Sequence, residues 1–281
     1  MNPTFGIAFG GGGARGLAHI HVIEAFDELG IKPAAIAGSS IGAIMGAAMA
    51  SGMSGREIRD YSRSILAHRS EVASRIWQSR PQSFADLMKG GLHVSQFNVE
   101  RTLKAFLPAT IPETFSGLQI PLKVTATDYY GHRLVVLEEG DLVSAIAASA
   151  AIPAVFRPVT RDGRMLIDGG IYNPVPFDLI EHDADIVVAV DVIGGPVANG
   201  LRKPSSIDLM FGATQLLMQS IIDNKLSQIR PDVLVRPPVS KFRVLDFLSI
   251  DAVLKETAAV KDEVKRKIDE AVNARYEPQR H

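Results

Sequence analysis

The sequence contains no cysteine, and this absence excludes several kinds of chemistry at once. A chain without cysteine cannot form disulfide bridges, use a thiolate nucleophile or hold a metal on thiolate ligands. The composition also suits a reducing compartment, so we expect a cytoplasmic protein.

Neither positively nor negatively charged residues are in excess. The 281 residues include 30 Lys plus Arg and 31 Asp plus Glu, which gives a formal net charge of −1. A balance so close to neutral provides no general attraction to the phosphates of nucleic acid. We therefore expect no nucleic-acid partner.

Long apolar runs are missing as well. The most apolar stretch, Ile41 to Ala50, is about half as long as the roughly 20 residues that span a bilayer. The first residues also lack the basic and apolar regions of a signal segment. The sequence predicts a soluble protein whose contact with membranes would be peripheral. The 46% of hydrophobic residues indicates a globular chain, and its length of 281 residues without an internal repeat predicts a single domain over residues 1–281.

Strands and helices alternate in the first 50 residues, which predicts an α/β fold. A short strand over 5–9 leads into a glycine loop, a helix follows over 17–29, and a second apolar run over 34–37 ends in a turn before another helix. A βαβα start is typical of a parallel sheet with helices on its faces. Further strands are predicted over 121–127, 134–137, 156–160, 164–167, 185–191 and 233–235, and further helices over 54–66, 98–107, 142–148, 207–229 and 253–276.

A Gly-Ser-Ser-Ile-Gly turn at residues 38–42 follows the second strand and precedes a helix of small residues. This context of strand, turn and helix is that of a nucleophile elbow. Centring the motif on Ser40 places Gly38 and Gly42 two positions to either side, where the backbone must fold tightly. Centring it on Ser39 would place bulkier side chains there. We interpret Ser40 as the candidate nucleophile, and the alternative is an ordinary turn.

The glycine loop over 10–16 is compatible with two functions. Gly11-x-Gly13-x-x-Gly16 matches the dinucleotide-binding fingerprint, in which an acidic residue at the end of the second strand holds the ribose. Here that strand ends in Ala-Gly-Ser-Ser, without an acid. The missing acid favours an oxyanion hole, in which backbone N–H groups face the negative oxygen of a tetrahedral intermediate. Arg15 would either fix the loop or attract an anionic head group.

A serine nucleophile needs a base, and the sequence has two candidates. His182 follows Asp168 in the Ser, Asp, His order of α/β-hydrolases, but its Glu-His-Asp surroundings are typical of a solvated helix end. Asp168 ends an apolar strand and is followed by two glycines that allow close approach. Desolvation in an apolar cleft would raise its basicity. A Ser–Asp dyad and a Ser-His-Asp triad both stay open at this point.

Four motifs, in this order, resemble those of the bacterial patatin-like phospholipases: Gly-Gly-Gly-Ala-Arg-Gly at 11–16, Gly-Ser-Ser-Ile-Gly at 38–42, Ala-Ser-Ala-Ala-Ile-Pro at 148–153 and Asp-Gly-Gly at 168–170. The resemblance covers residues 5 to about 191, roughly two thirds of the chain. It implies a three-layer α/β/α fold with a central, mostly parallel sheet. It also implies a lipid acyl hydrolase of the phospholipase A, lysophospholipase or esterase type, which needs no metal and no cofactor.

The resemblance assigns a role to each motif residue. Ser40 would be the nucleophile and Asp168 the general base. The oxyanion hole would be formed by Gly11, Gly12, Gly13, Ala14, Arg15 and Ile41. The residues that would shape or border the site are Gly16, Gly38, Gly42, Ser149, Pro153, Gly169 and Gly170.

The expected substrate is a phospholipid or another acyl-ester lipid. Its acyl groove is predicted along the apolar helix over 41–49 and along the segment 51–118, which would form either a lid or a plain helical layer on the sheet. A non-catalytic nucleotide-binding protein stays open as the more distant alternative, with the loop at 11–16 as its phosphate cradle.

Overall fold

The structure is a computed structural model that describes residues 3–66, 98–198 and 203–276. In this part of the chain, one mixed sheet contains β1 Phe5–Phe9, β2 Ala35–Ser39, β3 Leu122–Asp128, β4 Arg133–Leu137, β5 Val159–Arg161, β6 Arg164–Asp168, β7 Ile186–Val190 and β8 Val233–Val235. The described α-helices are α1 His19–Glu28, α2 Ile41–Ala50, α3 Gly55–Leu66, α4 Val99–Phe106, α5 Leu142–Ser149, α6 Ser206–Gln228, α7 Ile250–Glu256 and α8 Val260–Tyr276. Short 3-10 helices lie at Gly13–Ala18, Phe115–Gly117, Gly169–Ile171, Phe177–Leu179 and Phe247–Ser249.

The centre of the sheet is parallel. Hydrogen-bonded pairing connects the strands in the sequence β5-β6-β3-β2-β1-β7-β8, and β4 also pairs with β3. The five strands from β3 to β8 in this order run parallel, and Ile7 of β1 lies opposite Ile36 of β2 and Val188 of β7. Every residue of β1 is buried, as expected for a parallel strand covered on both faces. The predicted α/β fold and its βαβα start are confirmed.

Alternate residues of the central strands face two different cores. Ile7, Phe9 and Ile36 belong to a large core shared with α1 and α2. Ala8 and Ala37 belong to a smaller core on the opposite face, to which α6 contributes. Because a strand directs successive side chains to opposite faces, the sheet forms a middle layer between helices. The predicted three-layer arrangement is therefore confirmed.

Strand β6 reaches the middle of the sheet in the antiparallel direction. β4 pairs along one edge of β3, so β2 and β6 share the other edge, end to end. Ser39 at the end of β2 lies opposite Thr125, and Asp168 at the end of β6 lies opposite Ala126, the next residue of β3. This proximity does not come from parallel strands that end at one edge of the sheet, because β6 is antiparallel to β3. An antiparallel strand is what produces this proximity.

The prediction of a single helix over 253–276 is wrong, because this part of the chain forms two helices, α7 and α8. The break lies at Thr257, whose hydroxyl donates to the Val253 carbonyl at 2.8 Å. The Val260 N–H then donates to the Thr257 carbonyl at 3.0 Å in a turn. A threonine hydroxyl that competes for backbone carbonyls in this way favours a helix end.

The strand predicted over 156–160 begins only at Val159. The N–H of Phe156 donates to the Ile152 carbonyl at 2.9 Å, so this residue belongs to a turn instead. The helix predicted over 17–29 begins as the 3-10 segment before α1. The ends of the other predicted strands and helices agree with the structure to within two residues.

Since the C-terminal part completes the sheet, we predict that residues 1–198 do not fold alone. β8 pairs with β7, and the Val244 carbonyl accepts the Ala14 N–H at 2.8 Å. Removing residues 199–281 would expose the β7 edge and apolar core surface. Circular dichroism of the truncated chain should show no cooperative melt. A cooperative melt close to that of the full chain would contradict the prediction of a single domain.

Candidate active site

Ser40 occupies the turn between β2 and α2 in an unusual backbone conformation. Its φ is 54° and its ψ is −123°, a strained combination for a residue with a side chain. A Cβ added to Gly42 would lie 2.1 Å from the Phe9 carbonyl oxygen, and one added to Gly38 would lie 2.5 Å from the Gly42 carbonyl oxygen. Both positions therefore require glycine, which agrees with an elbow centred on Ser40 and not on Ser39.

The side chains of Ser40 and Asp168 are hydrogen-bonded to each other. Ser40 Oγ donates to Asp168 Oδ2 at 2.7 Å, across 128 residues of sequence. Both residues are buried. The contact follows from the pairing at β3, where the last residues of β2 and β6 lie opposite neighbouring residues. The structure thus brings the candidate nucleophile and the candidate base together.

The Asp168 carboxylate is held through both of its oxygens. Oδ2 accepts the Ser40 hydroxyl, and Oδ1 accepts the Gly170 N–H at 2.8 Å. Gly169 begins the 3-10 turn that directs this N–H back to the carboxylate, and Thr127 Oγ1 donates to the Asp168 carbonyl at 2.8 Å. Burial raises the pKa of Asp168 to about 6, although the hydrogen bonds from Ser40 and Gly170 oppose the rise. At neutral pH the group is ionised and is a stronger base than a hydrated aspartate.

The motif at 148–153 supports both members of the pair through the backbone. Ser149 Oγ accepts the Ser40 N–H at 2.8 Å, and the Ala151 carbonyl accepts the Asp168 N–H at 3.1 Å. Pro153 lines the cavity beside the pair. Ser149 therefore fixes the backbone of the candidate nucleophile at the point where the elbow is strained.

Two of the predicted oxyanion donors are already engaged in the fold. Gly11 donates to the Pro174 carbonyl at 2.9 Å, and Ala14 donates to the Val244 carbonyl at 2.8 Å. A backbone N–H that is committed to a carbonyl cannot also face an oxyanion in good geometry. The N–H groups of Gly11 and Ala14 are therefore removed from the predicted set of oxyanion donors.

The donors that stay available lie next to Ser40. Gly12 precedes a 3-10 helix, and Gly13 and Ile41 are the first residues of helices, where an N–H has no acceptor within the helix. In the described part of the chain, these three N–H groups also have no backbone acceptor outside the helices. Gly12 and Gly13 line a cavity together with Ser40, and Ile41 follows Ser40 at the start of α2. Gly16 lies directly against the Ile41 side chain, which joins the glycine loop to the elbow.

Arg15 fixes the glycine loop to the C-terminal part of the chain. Its side chain is buried. Nε donates to the Phe242 carbonyl at 2.7 Å, Nη2 donates to the Ser240 carbonyl at 3.5 Å, and Nη1 donates to the Ile193 carbonyl. Of its two expected functions, the structure supports the first, since a guanidinium surrounded by carbonyls is not directed at a ligand.

Two cavities meet at Ser40. The smaller, of about 140 Å³, also borders Asp168 and is walled on one side by α6. The larger, of about 340 Å³, extends along α2, α3 and α4 and is mostly apolar. Among the side chains that line the larger cavity are Ile44, Met45, Ile58, Ile65, Leu103 and Phe106.

The larger cavity lies where the sequence predicts an acyl groove. Helices α3 and α4 of the segment 51–118 form part of its wall. Residues 67–97 of the same segment, on which the lid interpretation also falls, lie outside the described residues. Sequence reasoning missed the part of α6 that lines the smaller cavity, because its residues belong to no motif. Only the apolar character of the helix could have indicated these side chains, which include Met210, Gln215 and Met218.

Histidine is absent from both cavities as far as the described residues go. The His182 side chain is 90% exposed and lies near Glu181. His19 and His21 are buried, and each is hydrogen-bonded to a backbone carbonyl. The triad alternative with His182 is therefore not formed. The described residues also hold no group of three or more His, Asp or Glu side chains suited to a metal ion.

Comparison with known proteins identifies the family of this chain. A sequence model of the family described as patatin-like phospholipase matches residues 7–180, which include the glycine loop, the elbow and Asp168. This chain belongs to the patatin-like phospholipase family. The resemblance drawn from the four motifs is confirmed.

The patatin-like relatives include bacterial and animal proteins. An uncharacterized NTE family protein of Mycobacterium bovis is 34% identical over 195 residues, which cover 69% of this chain and 50% of the relative. Patatin-like phospholipase domain-containing protein 6 of Pongo abelii is 28% identical over 281 residues, which cover 89% of this chain and 19% of the relative. This chain thus spans about half the length of the first relative and a smaller part of the second.

Solved structures that superimpose in part on this chain include VipD from Legionella pneumophila, with a TM-score of 0.46 at 13% identity. That match covers 93% of this chain and 67% of VipD. Human GIVD cytosolic phospholipase A2 gives a TM-score of 0.43 at 12% identity, covering 96% of this chain and 60% of the human protein.

We predict that Asp168→Asn stabilises the folded protein at pH 8. Burial holds the folded-state pKa at about 6, above the ordinary 3.8, so the ionised carboxylate costs the folded state about 3 kcal/mol. The cost is largest above pH 6 and disappears as the pH falls below the unfolded-state pKa. Thermal melts should therefore place the variant several degrees above the wild type at pH 8, with a smaller difference toward pH 4.

The matched control for this melt is Asp128→Asn. Asp128 is also buried at a strand end, but its carboxylate is paired with Arg133 at 3.4 Å. Removing a paired carboxylate should not stabilise the protein at pH 8. A melting temperature of Asp168→Asn at or below that of the wild type at pH 8 would contradict the desolvation of Asp168.

Proposed function

We propose that this chain is a lipid acyl-ester hydrolase, of the phospholipase A, lysophospholipase or esterase type, which works through a Ser40–Asp168 dyad. The observation that carries the proposal is the 2.7 Å hydrogen bond between the two buried side chains. An apolar cavity of about 340 Å³ begins at the same serine. Membership in the patatin-like phospholipase family supports ester hydrolysis as the reaction.

In the acylation step, Ser40 Oγ attacks the carbonyl carbon of the ester while its proton passes to Asp168. The carbonyl oxygen becomes an oxyanion, which the N–H groups of Gly12, Gly13 and Ile41 would stabilise. The protonated Asp168 then donates its proton to the alcohol oxygen as the ester bond breaks. The alcohol leaves, and the acyl group stays on Ser40.

In the deacylation step, water replaces the alcohol. The water oxygen attacks the acyl carbon while Asp168 takes a proton from the water. The same N–H groups stabilise the second oxyanion. The bond from the acyl carbon to Ser40 Oγ breaks, and the proton on Asp168 returns to this oxygen. The fatty acid is released, and the hydrogen bond between Ser40 and Asp168 is restored.

The larger cavity would receive the acyl chain. Its lining is mostly aliphatic and aromatic, and each methylene buried there contributes about 0.8 kcal/mol. That amount corresponds to a roughly fourfold gain in kcat/KM per methylene for chains that the cavity accommodates. The alcohol side of the ester would then face the smaller cavity and α6.

The test is hydrolysis of a p-nitrophenyl acyl ester by four variants. Ser40→Ala should abolish turnover, and Asp168→Asn should lower kcat by about a thousandfold. Ser39→Ala is the matched control, since its hydroxyl has no partner in the described chain, and it should keep most of the activity. His182→Ala should behave as wild type.

Two outcomes would contradict the dyad. Wild-type turnover by Asp168→Asn would remove its base, and loss of turnover in His182→Ala would restore the triad. Saturable binding of NAD or ATP without any Ser40-dependent ester hydrolysis would instead favour the glycine loop as a phosphate cradle.

The pH dependence of kcat/KM provides a second prediction. Asp168 has to be ionised to accept the proton of Ser40, and burial raises its pKa to about 6. Activity on the p-nitrophenyl ester should therefore fall as the pH decreases through about 6, with a slope of one proton. An acid limb near 4, the range of a hydrated carboxyl, would show that Asp168 is not the titrating base.

A further inference from the structure

Helix α6 buries a polar side chain and exposes the apolar residues beside it. Gln215 is 8% exposed, whereas Leu216 is 58% and Leu217 is 67% exposed. A helix at the surface of a domain normally buries its leucines and exposes its glutamines. None of the described helices is long and apolar enough to cross a membrane. The reason for burying Gln215 has to lie on the inner face of α6.

This inner face forms a wall of the candidate active site. Gln215 lines the smaller cavity together with Ser40 and Asp168. Met218 lies three residues further on, on the same face of the helix, and a Cβ added to Gly170 would be 3.2 Å from its Cε atom. The N–H of Gly170 is the group that holds the Asp168 carboxylate. The face of α6 that carries Gln215 therefore adjoins the candidate catalytic pair.

Among the described residues, the side-chain amide of Gln215 has no hydrogen-bond partner. The amide of Gln219, one turn further on, lies 3.5 Å from the Asp191 carboxylate. Thr214 is the other polar side chain that α6 contributes to the smaller cavity, and its hydroxyl donates to the Met210 carbonyl at 3.0 Å. A buried amide without a partner is unfavourable, so the partner of Gln215 has to enter the cavity.

The chemistry of the amide restricts what this partner can be. A glutamine donates through its NH₂ group and accepts through its oxygen. A hydroxyl also donates and accepts, whereas an alkyl group does neither. A phosphate would lie in a cavity that Asp168 lines with a carboxylate and that the described residues line with no cation. Because an anion buried without a cation is costly, a neutral hydroxyl fits better.

We propose that the Gln215 side chain binds a free hydroxyl on the alcohol part of the substrate, so that this hydrolase prefers esters of diols or glycerol to esters of simple alcohols. The inference rests on the proposed function, in which the alcohol side of the ester faces the smaller cavity and α6. Water would satisfy the amide in the free protein, and the hydroxyl of the substrate would replace it.

The experiment compares two soluble esters of the same size, ethylene glycol monobutyrate and propyl butyrate, which differ by a hydroxyl in place of a methyl group. The wild type should hydrolyse the glycol ester with a kcat/KM at least about tenfold higher, because the propyl ester leaves the amide unpaired. In Gln215→Met, whose side chain has a similar length but no amide, the ratio of the two kcat/KM values should fall by at least about tenfold. A cooperative melt by circular dichroism shows that the variant is folded.

Gln219→Met is the matched control. It makes the same change one turn further along α6, at a residue that does not line either cavity at Ser40. Its ratio of kcat/KM for the two esters should equal that of the wild type.

A second pair of substrates distinguishes the lipids that carry such a hydroxyl. Glycerol monobutyrate and the butyryl form of lysophosphatidylcholine present the same hydroxyl without and with a phosphate. The one with the higher kcat/KM identifies the class that the site accepts, and Gln215→Met should lower this value by at least about tenfold.

Three results would overturn the hydroxyl proposal. The wild type shows no preference for the glycol ester, Gln215→Met keeps the wild-type ratio (an equal loss on both esters included), or Gln219→Met changes the ratio as much as Gln215→Met does. The first result needs no variant, so the proposal can be refuted even if Gln215→Met does not fold. Failure of the proposed function is distinct, since the wild type would then hydrolyse neither ester.

Discussion

The candidate active site depends on the pairing of one strand. β4 occupies one edge of β3, so β2 and β6 must share the other edge and end against each other. A shift of either strand by one residue would move its last side chain by about 3.3 Å, which exceeds what the 2.7 Å bond between Ser40 and Asp168 tolerates. The tight glycines of the elbow, the Ser149 hydroxyl and the Gly170 N–H all act on this junction.

The same junction buries a carboxylate whose partners are hydrogen-bond donors. Within the described residues, Asp168 accepts bonds from Ser40 and Gly170 and forms no ion pair. Desolvation therefore raises its pKa, and the raised pKa has two consequences. The carboxylate gains the basicity that a dyad without histidine needs, and the folded state loses stability wherever the group is ionised. At this residue the stability of the fold and the proposed activity oppose each other.

The candidate catalytic pair and most of the strands and helices could be predicted because their signals are local. The glycines around Ser40 indicate a tight turn, and an apolar strand before Asp168 indicates burial. The antiparallel course of β6 could not be predicted, since it depends on pairing between distant segments. The carbonyl partners of Arg15 leave no trace in the sequence, because every residue carries a carbonyl. The apolar pattern of α6 fits a buried helix as well as a helix that walls a cavity and exposes leucines.

The Ser40–Asp168 dyad is tested most directly by labelling the protein with a fluorophosphonate, which reacts with an activated serine hydroxyl, and by mapping the labelled peptide. We predict a single labelled serine, Ser40, with a labelling rate that falls by orders of magnitude in Asp168→Asn and is unchanged in His182→Ala. Labelling of Ser39 instead, or labelling of Ser40 at the wild-type rate in Asp168→Asn, would contradict it.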